Sequence, residues 1–200
     1  MTALLKKKHI SPEQYLAMER ESLEKHEYFG GEIFQMAGAS EEHNTIAMNT
    51  ASDLHQQLKK RACKVYQSDM RLFIPKTGLY IYPDITVVCG KPEFLPDETL
   101  DTLTNPILIV EILSSSTEGY DKGAKFDNYR SLESLREYML ISQDVKKIIR
   151  YTKQADGSWV LMDFIGDKTE ITLISIDCKL TADDIYDKVD FEETSDQVIP

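Results

Sequence analysis

The segment that most constrains the fold of this chain is Ile107-Leu108-Ile109-Val110-Glu111-Ile112-Leu113. Successive side chains of a β-strand point to opposite faces of a sheet, and here both alternating sets are apolar except at Glu111. A strand that is apolar on both sides lies in the middle of a sheet whose two faces are covered. The segment therefore predicts an α/β protein in which it forms a buried central strand.

The remaining predicted elements alternate between strands and helices. Ser11-Pro12 and Ser40 each precede a helix, because serine caps a helix N-terminus and proline is accepted in the first turn. Strands are predicted over 63–74, 79–89, 106–113 and 137–141, a helix over 121–130, a hairpin over 148–152 and 159–164, and a helical turn over 182–186. This order predicts one sheet covered by helices, with an added β-hairpin.

Length and composition predict one domain outside the membrane. The 200 residues fit a single domain, with a core over about 10–165 and an acidic C-terminal extension over 166–200. No apolar run approaches the ~20 residues of a membrane span, and the N-terminus lacks the apolar segment of a secretory signal. The three cysteines, Cys63, Cys89 and Cys178, are far apart, so we expect reduced thiols, no zinc site and a cytoplasmic location.

The negative charge of the chain is unevenly distributed. Of the net charge of -11, residues 161–200 carry -8, whereas 59–76 holds six basic side chains against the single acid Asp69. Phosphate binding responds to the potential within a Debye length of about 8 Å, so this basic stretch could contact nucleic acid. A solvated helix end and strand edge would explain it equally well.

Two acidic residues interrupt apolar strands. Glu111 lies within the central strand, and Asp84 lies within 79–89, next to Pro83, which removes a ladder donor and predicts a local bend. A buried carboxylate costs several kcal/mol unless it is paired, protonated or bound to a metal. Two such acids on neighbouring strands would suit Mg²⁺, which needs only one or two carboxylates. The alternative is that each acid lies at a strand end and faces solvent.

Further motifs stand in a familiar order around these acids. They are Tyr82-Pro83-Asp84, Val110-Glu111-Ile112-Leu113-Ser114, Asp121-xxx-Lys125-xxx-Tyr129 and Glu137-Tyr138-Met139-Leu140, with Gly31-Glu32-Ile33 and His43 upstream. Over about residues 10–165 this pattern resembles the Uma-type family of restriction-endonuclease-like proteins, which belongs to the PD-(D/E)XK nuclease superfamily. The resemblance implies a mixed central sheet flanked by helices.

The resemblance also implies a set of site residues. Asp84 and Glu111, with the backbone carbonyl of Ile112, would hold Mg²⁺ or, as a substitute, Mn²⁺. The superfamily has a lysine two residues after the strand acid, and here Leu113 occupies that position. In this family the lysine is thought to have moved to the following helix, where Lys125 matches and Lys122 is the nearest competitor.

The implied activity is metal-dependent endonuclease cleavage of nucleic acid, DNA before RNA, by a homodimer with no membrane partner. Asp84, Glu111 and Lys125 would be its catalytic residues. Glu32 and His43 would be auxiliary ligands, although a turn acid and an exposed cap residue explain them equally well. Two other readings stay open at this point: a catalytically silent binding module with the nuclease fold, which the net charge of -11 favours, and a metal-dependent hydrolase with another substrate.

Overall fold

A computed structural model describes residues 9–97, 99–115 and 117–191 of the chain. The longer helices are α1 (Pro12–Glu21) and α2 (Glu41–Leu58). Both predicted serine caps are present, since the Ser11 side chain accepts from the backbone N–H of Gln14 and that of Ser40 from the N–H of His43. Three shorter helices follow, α3 (Glu118–Tyr120), α4 (Phe126–Tyr129) and α5 (Ala182–Ile185). In the described part of the chain, no helix is long and apolar enough to cross a membrane.

The strands form a central sheet, a second sheet and a small C-terminal ribbon. Their bounds are β1 (His26–Phe29), β2 (Glu32–Gln35), β3 (Cys63–Gln67), β4 (Arg71–Ile74), β5 (Leu79–Ile81), β6 (Ile85–Cys89), β7 (Thr102–Leu103), β8 (Leu108–Leu113), β9 (Glu137–Ser142), β10 (Lys147–Lys153), β11 (Trp159–Ile165), β12 (Glu170–Leu173) and β13 (Cys178–Thr181). The central sheet has the order β11-β10-β9-β8-β6-β3, the second sheet β2-β1-β5-β4-β7, and the ribbon pairs β12 with β13.

The predicted central strand is confirmed. All six residues of β8 are buried, and β8 pairs in parallel with β9 and antiparallel with β6. One side of the sheet packs against α2, with Leu54 at the contact, and the other packs against Tyr129 and Leu132. The predicted α/β fold class, with a mixed sheet flanked by helices and an added β10–β11 hairpin, is therefore confirmed.

The predictions of two of the strands and of a single sheet were wrong in detail. The segment 63–74 is divided into β3 and β4, and 79–89 into β5 and β6, with one member of each pair in each sheet. The chain leaves the second sheet after Ile81 and enters the central sheet at Ile85, and Pro83 lies in this crossing. The predicted bend at Pro83 is a transfer between two sheets, which a pattern of apolar residues along one segment does not reveal.

The predicted helix over 121–130 begins earlier and contains an irregular turn. It runs from Glu118 to Tyr129, and Asp121–Lys125 forms a π-helical turn in which each backbone hydrogen bond spans one residue more than in an α-helix. Such bulges shift the side chains of a helix around its axis and occur often at functional sites. Both Asp121 and Lys125 are buried in this turn.

The prediction of reduced, separate thiols was wrong for two of the three cysteines. Cys63 and Cys89 are 26 residues apart, but β3 and β6 pair them directly across the sheet with 4.0 Å between their Cα atoms, and they form a disulfide. Cys178 is a buried free thiol. The sequence spacing could not show the pairing, because it arises from the register of two strands that are joined through the second sheet.

The C-terminal extension covers the central sheet. The predicted helical turn is α5, and Ile171, Leu180 and Ile185 join the core formed by α2 and the sheet. Residues 192–200 of the extension lie outside the described part of the chain. The core therefore extends beyond 165, the boundary that we predicted.

Candidate active site

The transfer between the sheets places Asp84 beside Glu111. Asp84 immediately precedes β6, and Ile85 pairs with Val110 of β8. The backbone N–H of Asp84 is 3.4 Å from Oε2 of Glu111, and the backbone N–H of Ile112 donates to Oδ2 of Asp84 at 2.7 Å. The two acids that interrupt apolar strands thus meet at one end of the strand pair.

The π-helical turn directs Lys125 at the same point. Its ammonium Nζ lies 2.9 Å from Oε1 of Glu111 and 3.0 Å from Oδ1 of Asp121, and the side chain is 10% exposed. Phe126 stacks on Tyr138 of β9, with 5.6 Å between ring centroids, and so fixes the helix on the sheet. Tyr129 lies on the same buried face and donates from its hydroxyl to Oε1 of Glu111 at 2.6 Å.

His43 reaches Asp84 from the first turn of α2. The serine cap begins the helix at Glu41, and the His43 ring donates from Nε2 to Oδ1 of Asp84 at 3.0 Å. Burial raises the pKa of Asp84, but the hydrogen bond and charge of His43 and the N–H of Ile112 outweigh burial and lower the pKa overall. Asp84 is therefore held as a carboxylate by the helix and the central strand together.

The pKa values of Glu111 and Lys125 are both raised in the cluster. Burial, reinforced by the charges of Asp84 and Asp121 and opposed by that of Lys125, raises the pKa of Glu111 to about 8. Burial lowers the pKa of Lys125, but the charges of Glu111 and Asp121 outweigh it and raise that pKa overall. Lys125 therefore stays charged, and the surplus of acid in the cluster is relieved by a proton on Glu111.

The cluster opens into a cavity of about 1020 Å³ between the β1–β2 hairpin, α2 and the π-helical turn. The predicted residues Asp84, Glu111, Ile112, Lys125 and His43 all line it. None of the six basic residues of 59–76 does so. Arg71, one of these six, is buried in an ion pair with Asp101, so the predicted basic stretch is not a phosphate-binding face of this cavity.

Two other residues named in the sequence analysis, Glu32 and Lys122, do not line the cavity. Glu32 lies at the start of β2 and is not among the residues that line the cavity. Lys122 pairs with Glu118 on the outer side of the helical segment and does not line the cavity either. Of the two candidate lysines, the structure brings only Lys125 to the acids.

Sequence reasoning gave no role to three acids that line the cavity, Glu24, Glu27 and Asp121. Asp121 pairs with Lys125, and burial raises the pKa of Glu27 while the charge of Lys125 opposes this shift. Asp121 stands four residues before Lys125, and that spacing, typical of an ion pair on one helix, was the available signal. Glu27 carried no such signal, because its place depends on how the hairpin lies over the sheet.

The donor set fits a hard divalent cation. Among the described residues, no group of three His, Cys, Asp or Glu side chains is arranged around a common point for a metal. Mg²⁺ is nevertheless usually held by one or two carboxylates together with waters and substrate oxygens. Asp84 and Glu111 provide two buried carboxyl groups next to the backbone of Ile112. Burial and the charges of Asp84 and Asp121 raise the pKa of Glu111, as expected where acids outnumber cations.

This protonation predicts a pH-dependent affinity for Mg²⁺ or Mn²⁺. Because the cation needs the Glu111 carboxylate, its binding should release a proton below the pKa of about 8. We expect the affinity to rise up to roughly tenfold per pH unit between about pH 6 and 8 and then to level off. Calorimetry in two buffers of different ionisation enthalpy measures the released proton. A constant affinity with no proton release would show that the metal does not displace a proton from Glu111.

Comparison with known proteins identifies the family of this chain. The model of the Uma2 family, described as "putative restriction endonuclease", matches residues 12–182. The chain belongs to the Uma2 family. Two relatives are from Synechocystis sp. (strain PCC 6803) and are called uncharacterized proteins sll1609 and slr1290. The first is 38% identical in an alignment that covers 82% of this chain and 92% of that protein. The second is 35% identical in an alignment that covers 88% of this chain and 91% of that protein.

A solved structure shares the fold of this Uma2 protein. It is the crystal structure of "a putative nuclease belonging to DUF820" from Anabaena variabilis, with a TM-score of 0.67 and 18% sequence identity. The match covers 87% of this chain and 96% of that chain. The family and the fold therefore place the protein among restriction-endonuclease-like nucleases, and the roles of individual residues rest on the geometry above.

Proposed function

We propose that this Uma2 protein is a metal-dependent endonuclease that hydrolyses phosphodiester bonds in nucleic acid, with DNA as the main substrate. The observation that supports this most is the convergence of Asp84, Glu111 and Lys125 on one end of the β6–β8 pair. These residues come from three separate elements, yet they form one buried cluster at the base of an open cavity. Structural ion pairs would not need such an opening to solvent.

In this proposal Asp84 and Glu111 hold Mg²⁺, with the carbonyl of Ile112 as a third ligand. A cation held there would supply Lewis-acid chemistry: it would lower the pKa of a water and neutralise charge on the scissile phosphate. Lys125 donates from Nζ to the attacking water or to a phosphate oxygen and so stabilises developing negative charge. His43 and Tyr129 are positioning residues, because their hydrogen bonds hold the carboxyl groups of Asp84 and Glu111.

The direct test is incubation of the purified protein with DNA and RNA in Mg²⁺, in Mn²⁺ and in EDTA. We expect cleavage with either metal, none in EDTA, and faster cleavage of DNA than of RNA. Products with 5′ or 3′ phosphate ends would identify phosphodiester hydrolysis. A protein that binds both metals but cleaves neither substrate would contradict the nuclease proposal and favour a metal-dependent hydrolase with a different substrate.

A catalytically silent binding module is the main alternative. The acidic net charge of -11 favours it, since a phosphate-binding surface has to overcome that charge. The buried carboxyl groups argue against it, because a silent module would gain stability by replacing Glu111 with an apolar residue. Absence of both metal binding and cleavage would support the silent module.

We further propose that the protein acts as a homodimer joined through β11. This strand is the edge of the central sheet, has seven residues and carries Val160, Leu161 and Met162, each about half exposed. Edge strands of this length usually carry charges or are covered, because their free N–H and C=O groups pair with other strands. A second β11 in antiparallel orientation would satisfy these groups and bury the apolar side chains on a twofold axis.

Substitution of Leu161 by lysine tests this dimer. We expect wild-type protein to sediment as a dimer and Leu161→Lys to shift it to monomer, because the lysine would be brought into an apolar interface. Ile174→Lys is the control, since Ile174 is also exposed but lies outside the central sheet. A wild-type monomer, or an equal effect of both variants in analytical ultracentrifugation, would contradict pairing through β11.

A further inference from the structure

The wall of the cavity is acidic. Five acidic side chains line it, against two lysines. Lys125 is held by Glu111 and Asp121, and Lys25 is held by the carbonyl of Ser68 and the carboxylate of Asp69. Proteins that bind duplex DNA neutralise several phosphates of both strands with basic side chains. The wall of this cavity has no such set of free cations in the described part of the chain.

Two aromatic side chains stand beside the acidic cluster and are open to solvent. Phe34 and Tyr120 line the cavity and are 48% and 45% exposed. Phe34 of β2 lies directly opposite Glu27 of β1, so both point to the face of the hairpin that approaches Lys125. Tyr120 directly precedes Asp121 in the helical segment. The two rings therefore lie on separate elements at the mouth of the proposed active site.

We infer that the nuclease acts on single-stranded nucleic acid, whose unpaired bases stack on Phe34 and Tyr120. This inference rests on the proposed function and specifies its substrate. The cavity of about 1020 Å³ is at the upper end of the range that encloses small ligands, so it can receive a few unpaired nucleotides but not a double helix. Stacking on an aromatic ring is a contact to the base rather than to the phosphate, and it tolerates every base because every base has a π-face.

The acidic wall disfavours a duplex more strongly than a single strand. A single strand that enters the cavity brings one row of phosphates, and its bases can face the apolar and aromatic side chains while the scissile phosphate approaches the metal and Lys125. A duplex would bring a second row of phosphates against uncompensated carboxylates such as Glu24, which also lines the cavity. The charge pattern therefore selects against the paired form rather than against nucleic acid in general.

Fluorescence anisotropy with a labelled single-stranded DNA oligonucleotide and with its duplex tests the inference. Binding is measured with Ca²⁺ present, and cleavage is followed separately on gels. We expect the full-length wild-type protein to bind the single strand at least roughly tenfold more tightly than the duplex. Phe34→Ala should raise the Kd for the single strand roughly tenfold, and Phe34→Trp should restore it, because either ring can stack on a base. Phe29→Ala is the matched control, since Phe29 is 46% exposed on the same hairpin but does not line the cavity.

Salt dependence gives an independent measurement. Release of counterions from a single strand gives a slope of about -0.7 per contacted phosphate in a plot of log affinity against log salt concentration. With stacking as the main contribution, we expect a slope of magnitude below about 2, which corresponds to one to three phosphates. A steep slope, with a Kd that Phe34→Ala leaves unchanged, would overturn the inference.

The outcomes separate this inference from the proposed function. Duplex DNA that is bound and cleaved at least as well as the single strand, with no effect of Phe34→Ala, overturns the inference and leaves the nuclease in place. Tight single-strand binding that depends on Phe34, with no cleavage in Mg²⁺ or Mn²⁺, supports the binding surface and overturns the nuclease. Preferential cleavage of the single strand, with a raised KM and unchanged kcat in Phe34→Ala, supports both.

Discussion

Replacement of Glu111 by glutamine should abolish cleavage, with a loss of at least roughly 10³-fold in turnover, and leave the fold intact. Glutamine keeps the shape of the side chain and the oxygen that accepts from Tyr129, but it removes the negative charge that a cation needs. Asp84→Asn should have the same effect on turnover. The measurement is single-turnover cleavage in Mg²⁺, combined with calorimetric titration of the metal.

The stability of Glu111→Gln without metal tests the same assignment in a second way. Folded wild-type protein keeps the Glu111 proton up to about pH 8, whereas an unfolded glutamate releases it near pH 4. The folded state therefore binds more protons between these values, and the free energy of unfolding of the wild type falls as pH rises through that window. Glutamine has no such proton, so we expect Tm to stay level or rise relative to wild type, with a gain that grows toward pH 8.

Glu137 is the matched control for a buried glutamate. It is fully buried and accepts hydrogen bonds from the backbone N–H groups of Ile174 and Ser175, far from the cavity lining. Glu137→Gln should lower Tm, because the charged carboxylate of Glu137 accepts from these N–H groups and pairs with Arg150. A large loss of Tm in both Glu111→Gln and Asp84→Asn would instead identify these acids as structural partners of Lys125 and His43.

Replacement of Lys125 by methionine should reduce turnover by roughly 10²-fold or more while metal binding persists. Methionine retains most of the packing of the lysine stem and removes the charge. The Lys125 ammonium competes with a metal ion for Glu111 and Asp121. Because the variant lacks this ammonium, we expect its affinity for Mn²⁺ to stay level or increase. The readouts are kcat under single-turnover conditions and the Kd for Mn²⁺ from calorimetry.

Lys122→Met is the control for this variant. Lys122 lies in the same helical segment, pairs with Glu118 and contributes nothing to the cavity lining. We expect its turnover to match that of the wild type. Cleavage that is unchanged in Lys125→Met, or lost equally in both variants, would contradict the role of Lys125 and point to a general effect on the helical segment.

The apolar pattern predicted the part of the site that lies on the central strand. Both faces of Ile107–Leu113 are apolar, so Glu111 had to be buried, and the burial of β8 confirms this. The proximity of Asp84 was predicted from the same argument on the neighbouring segment, although the transfer of the chain between two sheets at Pro83 was not. Local periodicity reports which face of a strand is buried, but not which sheet the strand joins.

The rest of the site depends on contacts that a single sequence does not contain. Nothing in the periodicity of the sequence directs Lys125 toward Glu111, and only the family resemblance favoured it over Lys122. The π-helical turn that aims it at the acids has no sequence signature that we could use. Glu27 and the Cys63–Cys89 pair were missed for a related reason, since each depends on long-range packing or register of strands distant in sequence.

Diffraction from crystals soaked in Mn²⁺, measured at the manganese absorption edge, tests the central claim most directly. The account predicts one anomalous peak at the base of the cavity, within about 2.0–2.6 Å of oxygens from both Asp84 and Glu111. The same soak of Glu111→Gln crystals should lose most of this peak. Fully bound Mn²⁺ at another place, or no peak beside Asp84 and Glu111 at saturating Mn²⁺ above pH 8, would contradict the claim that these two carboxylates form the metal site of a nuclease.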